Sequence, residues 1–166
     1  MLKNWNKPRC PEEEELLTRL KAARERLTVQ QMQIKEKKLP VLILFEGWGA
    51  AGKGSVLGKV IRNIDPRFFQ VATMGKPTEE EARKPFLYRY FVQIPEAGKF
   101  KFLDGGWMDE ITQAVLYKKT DEEHYKEQIE SVRRFERQLT DNGYLVVKFF
   151  FQISEKEQKK RLELLK

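Results

Sequence analysis

The chain has 166 residues, of which 40% are hydrophobic, and this length and composition fit one globular domain with a hydrophobic core. Its net charge of +7 indicates a polyanionic partner such as a phosphate chain, a nucleotide or a nucleic acid. The single cysteine, Cys10, excludes an internal disulfide, and the single histidine, His124, excludes a histidine cluster for zinc.

A leading helical segment, residues 1–38, precedes the rest of the chain. Its helix is predicted over Glu12–Lys37, because apolar side chains recur there at helical spacing among many charges. These apolar residues are Leu16, Leu20, Ala23, Leu27 and Ile34. We expect the helix to pack on a second unit, which is formed by residues 39–166.

A strand, a glycine-rich turn and a helix follow one another after residue 39. The apolar run Val41–Phe45 predicts a buried parallel strand, and a helix is predicted over Lys53–Asn63. Glycines in the turn allow positive φ angles and bring backbone N–H groups close to an anion. Lys53 adds a charge at a helix start whose dipole favours phosphate, so we expect it to be catalytic. The predicted phosphate-binding residues here are Gly47, Gly49, Ala50, Ala51, Gly52, Gly54 and Ser55.

Residues 47–54 are called the phosphate loop below. The spacing of Gly47, Gly52 and Lys53 matches the first seven positions of the pattern G-x-x-x-x-G-K-[ST]. Gly54 stands at the eighth position, where Ser or Thr would hold Mg²⁺, and Ser55 follows one place later. The pattern therefore leaves metal binding by the loop open. The alternative interpretation is an ordinary glycine-rich turn between a strand and a helix.

The next predicted elements are a strand, Phe69–Met74, and a helix that begins after Thr78 and runs towards Ile94. Thr78 suits the N-cap position, and the acidic residues that follow it suit the first helical turn. Pro85 lies inside this helix, so we expect a kink or a break there.

Four cations lie in or beside this region. Lys76 lies in the turn before the helix, and Arg83, Lys84 and Arg89 lie on it. Together with Lys53, Lys59 and Arg62 they could line a channel that binds an extended polyanion. A solvated helix face explains Arg83, Lys84 and Arg89 equally well.

Two acids end predicted strands. Asp104 follows the third strand, Phe100–Leu103, and Glu46 ends the first strand beside the phosphate loop. Either acid could contribute to a Mg²⁺ site or could cap a turn as a structural residue. We favour a functional role for Asp104 and a structural role for Glu46.

The remaining predicted elements complete an alternating pattern. They are a segment over Trp107–Leu116, a helix over Asp121–Leu139, a strand over Tyr144–Ile153 and a charged helix from Ser154, still periodic at Lys166. Four strands that alternate with helices predict an α/β fold with a parallel sheet and helices on both faces. Ligands of such sheets bind at the carboxyl ends of the strands, where the phosphate loop and Asp104 lie. We expect the sequence to be a piece of a longer chain, truncated at its carboxyl end.

Composition also bears on where the protein acts. The sequence has no apolar run of the roughly 20 residues that a membrane-spanning helix needs. Its amino terminus lacks the apolar core of a secretory signal peptide. We therefore expect a cytoplasmic protein that does not contact membranes. No basic and aromatic ribonucleoprotein motif is present, so we do not expect a nucleic acid as its partner.

Five segments occur in order along the chain: FEGWGAAGKG, IDPRFF, KPTEEE, KFKFLDGGW and FERQLTDNGYLVVKFFFQISEKEQKKR. In this order they resemble the polyphosphate kinase 2 family. The resemblance implies a P-loop three-layer α/β/α sandwich with a parallel sheet, similar to thymidylate kinase. It implies Mg²⁺ as cofactor and phosphate transfer between inorganic polyphosphate and AMP or ADP. By position, Lys76 resembles the family's basic turn, and Asp104 resembles the acid of its Asp-Arg-Ser-Trp-Tyr signature, a catalytic residue and metal ligand.

Several positions depart from the family's pattern. Gly49 stands where the family's loop has an aspartate, and Gly105 replaces the signature arginine. Asp109 and Glu110 replace an Asn-Arg pair, and Val115 replaces a further arginine. One arginine that stabilises charge in the transition state can be worth ~10³ or more in rate. We therefore expect that Gly49→Asp together with Gly105→Arg raises any phosphotransfer activity of this domain.

These observations support three hypotheses of function. The first is a polyphosphate:nucleotide phosphotransferase, as the divergent amino-terminal domain of a two-domain family member. The second is a non-catalytic domain that binds polyphosphate or supports an active partner, which would be a homologous domain of the same chain or a second copy. The third is a nucleoside monophosphate kinase that uses ATP, which the missing loop Ser or Thr disfavours.

Overall fold

A parallel four-stranded sheet forms the centre of the computed structural model, which describes residues 11–164. All neighbouring strands are parallel, and their order is β2-β3-β1-β4. The strands are β1 (Val41–Gly47), β2 (Phe69–Thr73), β3 (Phe100–Asp104) and β4 (Leu145–Phe151). Phe45 lies opposite Asp104 of β3 and Gly47 lies opposite Phe151 of β4, so these carboxyl ends share one edge of the sheet. The predicted α/β fold with a parallel sheet is confirmed.

The helices follow the predicted order, with one difference in the middle of the chain. They are α1 (Glu13–Glu36), α2 (Lys53–Ile61), α3 (Glu79–Ala82), α4 (Tyr88–Phe91), α5 (Trp107–Leu116), α6 (Glu122–Asp141) and α7 (Glu155–Glu163), with a short 3-10 turn at Pro66–Phe68. The helix predicted from Thr78 towards Ile94 is two short helices, α3 and α4. Pro85 lies between them and provides no N–H donor for a continuous helix. Strand β4 is shorter at both ends than predicted.

The hydrophobic core lies on both faces of the sheet, because successive side chains of β1 point to opposite faces. Leu42 and Leu44 belong to a cluster with Trp107 of α5 and Phe135 of α6. On the other face, buried residues of β1 and β3 pack with Leu57 of α2. Helices therefore cover both faces, and they hold the shared carboxyl edge of the strands in a fixed position.

Helix α1 packs on the domain through its carboxyl-terminal half. Leu27 and Ile34 contact the core cluster that contains Leu57, and Gln31 is buried. The side-chain oxygen of Gln31 accepts a hydrogen bond from the backbone N–H of Asp65, at 3.1 Å. The predicted packing of the leading helix is thus only partial. In its first half Leu16, Leu17 and Leu20 are exposed. Leu16 and Leu20 line a broad open depression that includes no phosphate-loop residue.

No helix within residues 11–164 is long and apolar enough to cross a membrane. Residues 1–10, which include Cys10, and residues 165–166 lie outside the described residues, so the predictions that concern them are not tested by the structure.

Candidate active site

The phosphate loop connects β1 to α2 at the carboxyl edge of the sheet. Its backbone turns through left-handed conformations at Gly47 (φ +123°), Ala50 (φ +61°) and Gly52 (φ +96°). A Cβ on Gly47 would collide with the backbone of Phe151 in β4, so this position has no space for a side chain. Gly52 is the N-cap of α2, and its carbonyl accepts a hydrogen bond from the backbone N–H of Val56. The loop therefore has the sharply curved backbone that glycine spacing predicts.

Lys53 is the first residue of α2 and folds back over the loop. Its Nζ donates to the carbonyl oxygen of Gly47 at 2.7 Å and lies 3.5 Å from the carbonyl oxygen of Trp48. Its charge also lies 3.9 Å from a carboxylate oxygen of Asp109. The side chain is only 19% exposed. Lys53 thus places a positive charge beside the first residues of the loop and at the start of α2, a position suited to bind an anion.

Asp104 lies next to the start of α2, as predicted. A Cβ on Gly54 would be 3.8 Å from Asp104 Oδ2, which shows how close the carboxylate is to the first turn of this helix. The backbone carbonyl of Asp104 accepts from Met74 N at 2.9 Å, which fixes the end of β3. Ser55, which is also in the first turn of α2 and was predicted to bind phosphate, is exposed.

Helix α7 holds the outer side of the phosphate loop, an arrangement that sequence reasoning missed. Gln158 Nε2 donates to the carbonyl oxygen of Gly49 at 3.0 Å, and Arg161 Nη1 donates to the carbonyl oxygen of Ala50 at 3.2 Å. A Cβ on Gly52 would be 3.9 Å from the guanidinium of Arg161. The sequence did contain one indication of this contact, a basic helix directly after β4. Because β4 ends at the same edge of the sheet as β1, a helix that follows β4 begins near the phosphate loop. Arg161 is therefore a further candidate for anion binding.

Glu46 has a structural position, as favoured from the sequence. Its side chain is 4% exposed, and its Oε1 accepts from the backbone N–H of Met108 at 2.9 Å. Burial raises the pKa of Glu46 to about 7, and the negative charge of Asp109 adds to the shift. A Cβ on Gly106 would overlap the Glu46 carboxylate, so a side chain there would require this carboxylate to move. Glu46 thus fixes the amino-terminal turn of α5 against β1.

The first turn of α5 brings a second acid to the loop. Asp109 Oδ1 accepts a hydrogen bond from the backbone N–H of Gly47 at 2.8 Å. Burial raises the pKa of Asp109, and the charge of Asp104 raises it further, whereas the Gly47 N–H and the charge of Lys53 lower it. Asp104 and Asp109 are therefore two carboxylates that lie close enough to influence each other beside the loop.

The predicted cations of the middle region differ in their positions. Arg89 is buried, with 7% exposure, and its Nη2 donates to the carbonyl oxygen of Gly75 at 2.8 Å. Lys76 and Arg83 are exposed, and neither hydrogen-bonds to the phosphate loop within the described part of the chain. Lys53 and Asp104 therefore both lie beside the phosphate loop. Lys76 and Arg83 make no hydrogen bond to the described residues of this loop.

Gly49 and Gly105, for which we expect substitutions to matter, differ in the space around them. A Cβ on Gly49 would be 3.7 Å from Gln158 Nε2, which is ordinary van der Waals contact. Gly105 has φ +94°, and a Cβ there would be 3.1 Å from the carbonyl oxygen of Met74. A side chain at residue 105 is therefore strained, so the expected gain from Gly105→Arg carries a cost in stability that the sequence does not reveal.

A comparison with protein families identifies the domain. The model of the family described as Polyphosphate kinase 2 (PPK2) matches residues 11–165. The chain belongs to the polyphosphate kinase 2 family. The predicted family resemblance is thus confirmed over nearly the whole chain.

Individual members of the polyphosphate kinase 2 family agree with this result. The chain is 33% identical over 143 residues to a polyphosphate:AMP phosphotransferase of Pseudomonas aeruginosa, covering 86% of this chain and 29% of that protein. It is 31% identical over 137 residues to an ADP-polyphosphate phosphotransferase of Rhizobium meliloti, covering 82% of this chain and 48% of that protein. The crystal structure of a polyphosphate kinase 2 from Arthrobacter aurescens matches with a TM-score of 0.83 and 29% identity, covering 87% of this chain and 53% of that one. The chain thus spans about half or less of the length of these proteins.

Proposed function

We propose that the chain takes part in phosphate transfer between inorganic polyphosphate and a nucleotide, AMP or ADP. The observation that carries the proposal is the position of Lys53 on the phosphate loop with Asp104 beside the start of α2. The similar proteins named above support the substrate class, because their names specify polyphosphate with AMP or ADP. In this reaction a terminal P–O bond of polyphosphate breaks while an oxygen of the nucleotide phosphate forms the new bond to phosphorus.

The residues of the loop would act by holding and neutralising phosphate, since phosphoryl transfer needs little covalent chemistry from a protein. Backbone N–H groups at the start of α2 and the Lys53 ammonium would bind phosphate oxygens. The guanidinium of Arg161 lies at the edge of the same loop and would extend this positive surface. Lys76, Arg83 and Arg89 would bind more distant phosphates of the chain or of the nucleotide.

The acids beside the loop fit a magnesium ion that is bound partly by substrate. Residues 11–164 contain no group of three or more side chains that could hold a metal ion by themselves. Mg²⁺ commonly uses one or two carboxylates together with phosphate oxygens and waters. Asp104, with Asp109 nearby, provides such a donor set. When bound there, Mg²⁺ would neutralise phosphate oxygens, and Asp104 would orient it beside α2.

A second candidate function, a non-catalytic polyphosphate-binding or scaffolding domain, is favoured by one observation. Where the family has an Asn-Arg pair, this chain has Asp109 and Glu110, and both carboxylates lie against groups that would otherwise bind an anion. Gly105 adds no cation. A domain with these side chains could bind polyphosphate without transferring it at a useful rate.

The test measures transfer and binding on the same preparation. The chain is incubated with inorganic polyphosphate, Mg²⁺ and AMP or ADP, and new nucleotide is quantified beside Lys53→Ala and a control, Lys21→Ala, which changes an exposed residue of α1. We expect Lys53→Ala to weaken polyphosphate binding by about 10-fold or more, and Lys21→Ala to change it little. Product above the Lys53→Ala level supports the transferase. Binding that depends on Lys53 without product supports the binding domain, and equal binding by all three proteins refutes both.

The remaining expectations on organisation belong to the same proposal. We retain a leading helical segment, residues 1–38, and a phosphotransferase-like domain, residues 39–166. A homologous domain or a second copy of the chain would be its protein partner, and the cytoplasm, where nucleotides are abundant, its location.

A further inference from the structure

Helix α5 begins with two carboxylates that are directed at groups suited to bind phosphate. Asp109 is the first of them. Its Oδ1 accepts from the backbone N–H of Gly47 at 2.8 Å, and its Oδ2 lies 3.9 Å from Lys53 Nζ. The side chains of Asp109 and Lys53 are each 19% exposed, so this pair is only weakly screened by water.

Glu110, the second carboxylate, lies beside the buried Arg89. Its Oε2 accepts from the hydroxyl of Tyr90 at 2.8 Å and lies 3.5 Å from Arg89 Nη1. Nε and Nη1 of Arg89 are buried and donate no hydrogen bond to any residue between 11 and 164. Nε lies 3.8 Å from a carboxylate oxygen of Glu81. The arginine is therefore neutralised by nearby charge, and two of its donor groups have no hydrogen-bond acceptor among residues 11–164. Because these two atoms are buried, an oxygen ligand would reach them only after a neighbouring side chain moves.

The backbone of both acidic residues is positioned by the packing of α5. Trp107, the first residue of the helix, is fully buried, and its Nε1 donates to Glu136 Oε1 at 2.9 Å. The next residue, Met108, donates its backbone N–H to the buried Glu46. Because the helix start is fixed on two sides, the backbone of Asp109 and Glu110 lies beside their cations, Lys53 and Arg89.

We propose that Asp109 and Glu110 are internal counter-anions that set the affinity of this site for phosphate chains, and that a bound chain must displace their carboxylates from Lys53 and Arg89. The proposal rests on the proposed binding of polyphosphate at the phosphate loop. Like charges repel, so a phosphate chain at Lys53 meets the charge of Asp109, and one at Arg89 meets the charge of Glu110. Neutral amides at these two positions would keep an oxygen acceptor and remove the competing charge.

The experiment compares charge removal at the site with equal charge removal elsewhere. Binding of inorganic tripolyphosphate is measured by calorimetry without metal ions and at constant ionic strength, for the chain and for Asp109→Asn/Glu110→Gln. The matched control is Glu122→Gln/Asp141→Asn, which removes two charges from exposed side chains of α6. We expect the first double variant to bind about 5-fold more tightly or better, and the control to change affinity less than 2-fold.

Further variants separate this inference from the proposed function. Lys53→Ala is added to the chain and to Asp109→Asn/Glu110→Gln, and it should abolish the gain. Affinity at or below that of the unchanged chain in Asp109→Asn/Glu110→Gln, with binding still dependent on Lys53, overturns the inference and leaves the proposed function standing. If Lys53→Ala leaves the affinity unchanged in the original chain and in Asp109→Asn/Glu110→Gln, the inference and the proposed function are both overturned. Should the double variant fail to fold, Asp109→Asn and Glu110→Gln are measured singly. The inference is also overturned if one of these single variants binds tripolyphosphate no more tightly than the unchanged chain.

Discussion

Glu46 offers a quantitative test of how the site is built. The carboxyl is buried, so burial favours its neutral form and raises the pKa from 4.5 to about 7, with smaller contributions from the charges of Asp109 and Glu136. The N–H of Met108 and the charge of Lys148 act in the opposite direction. Glu46→Gln keeps the side-chain shape and the oxygen that accepts from Met108, and it removes the titration.

The sign of the effect follows from which state holds the proton. Below pH 4.5 the carboxyl of Glu46 is protonated in both the folded and the unfolded chain, so it adds no pH dependence. Between pH 4.5 and 7 the unfolded chain loses this proton while the folded chain keeps it, so the free energy of unfolding falls as pH rises. A pKa raised from 4.5 to about 7 corresponds to about 3 kcal/mol at roughly 1.36 kcal/mol per unit. Glu46→Gln has no carboxyl to titrate at this position, so its free energy of unfolding does not fall with pH for this reason.

Urea unfolding at pH 5, 6, 7 and 8 measures the difference in free energy between Glu46→Gln and the unchanged chain. We expect Glu46→Gln to gain little at pH 5 and about 3 kcal/mol at pH 8. The control is Glu25→Gln, which changes an exposed residue of α1 and should give a difference that does not vary with pH. A difference that is constant from pH 5 to 8, or a Glu46→Gln variant that is less stable at pH 8, would refute the assigned burial of this charge.

Two further predictions concern the loop and its neighbours. Gly105→Arg should lower the free energy of unfolding by about 1–3 kcal/mol in urea unfolding, because φ is +94° and the carbonyl of Met74 is close, whereas Gly49→Asp should change it little. An equal cost at both positions would contradict this. Arg161→Ala should lower the affinity for tripolyphosphate roughly fivefold in calorimetry, through loss of a guanidinium that binds the loop, and exposed Lys160→Ala should have a smaller effect. Equal losses in both variants would mean that only the overall charge matters.

The sequence by itself determined the local elements and the chemistry of the loop. Glycine spacing with Lys53 specified a strand, a sharply curved loop and a helix, because these depend on backbone freedom and hydrogen bonding between near neighbours. Pro85 specified a kink or a break, since it removes an N–H donor from any helix through it. The alternating pattern of strands and helices specified the parallel sheet and therefore the edge where Asp104 lies.

Only the tertiary structure decided which side chains meet at that edge. Asp109 bonds to the N–H of Gly47 across 62 residues, and Arg161 bonds to the carbonyl of Ala50 across 111 residues. Periodicity reports the face of an element but not its neighbour, because the neighbour depends on strand order and register. The placement of β4 beside β1 brings α7 to the phosphate loop, and the packing of buried Trp107 brings the acids of α5 to it. The internal neutralisation of the candidate site is therefore a property of the fold.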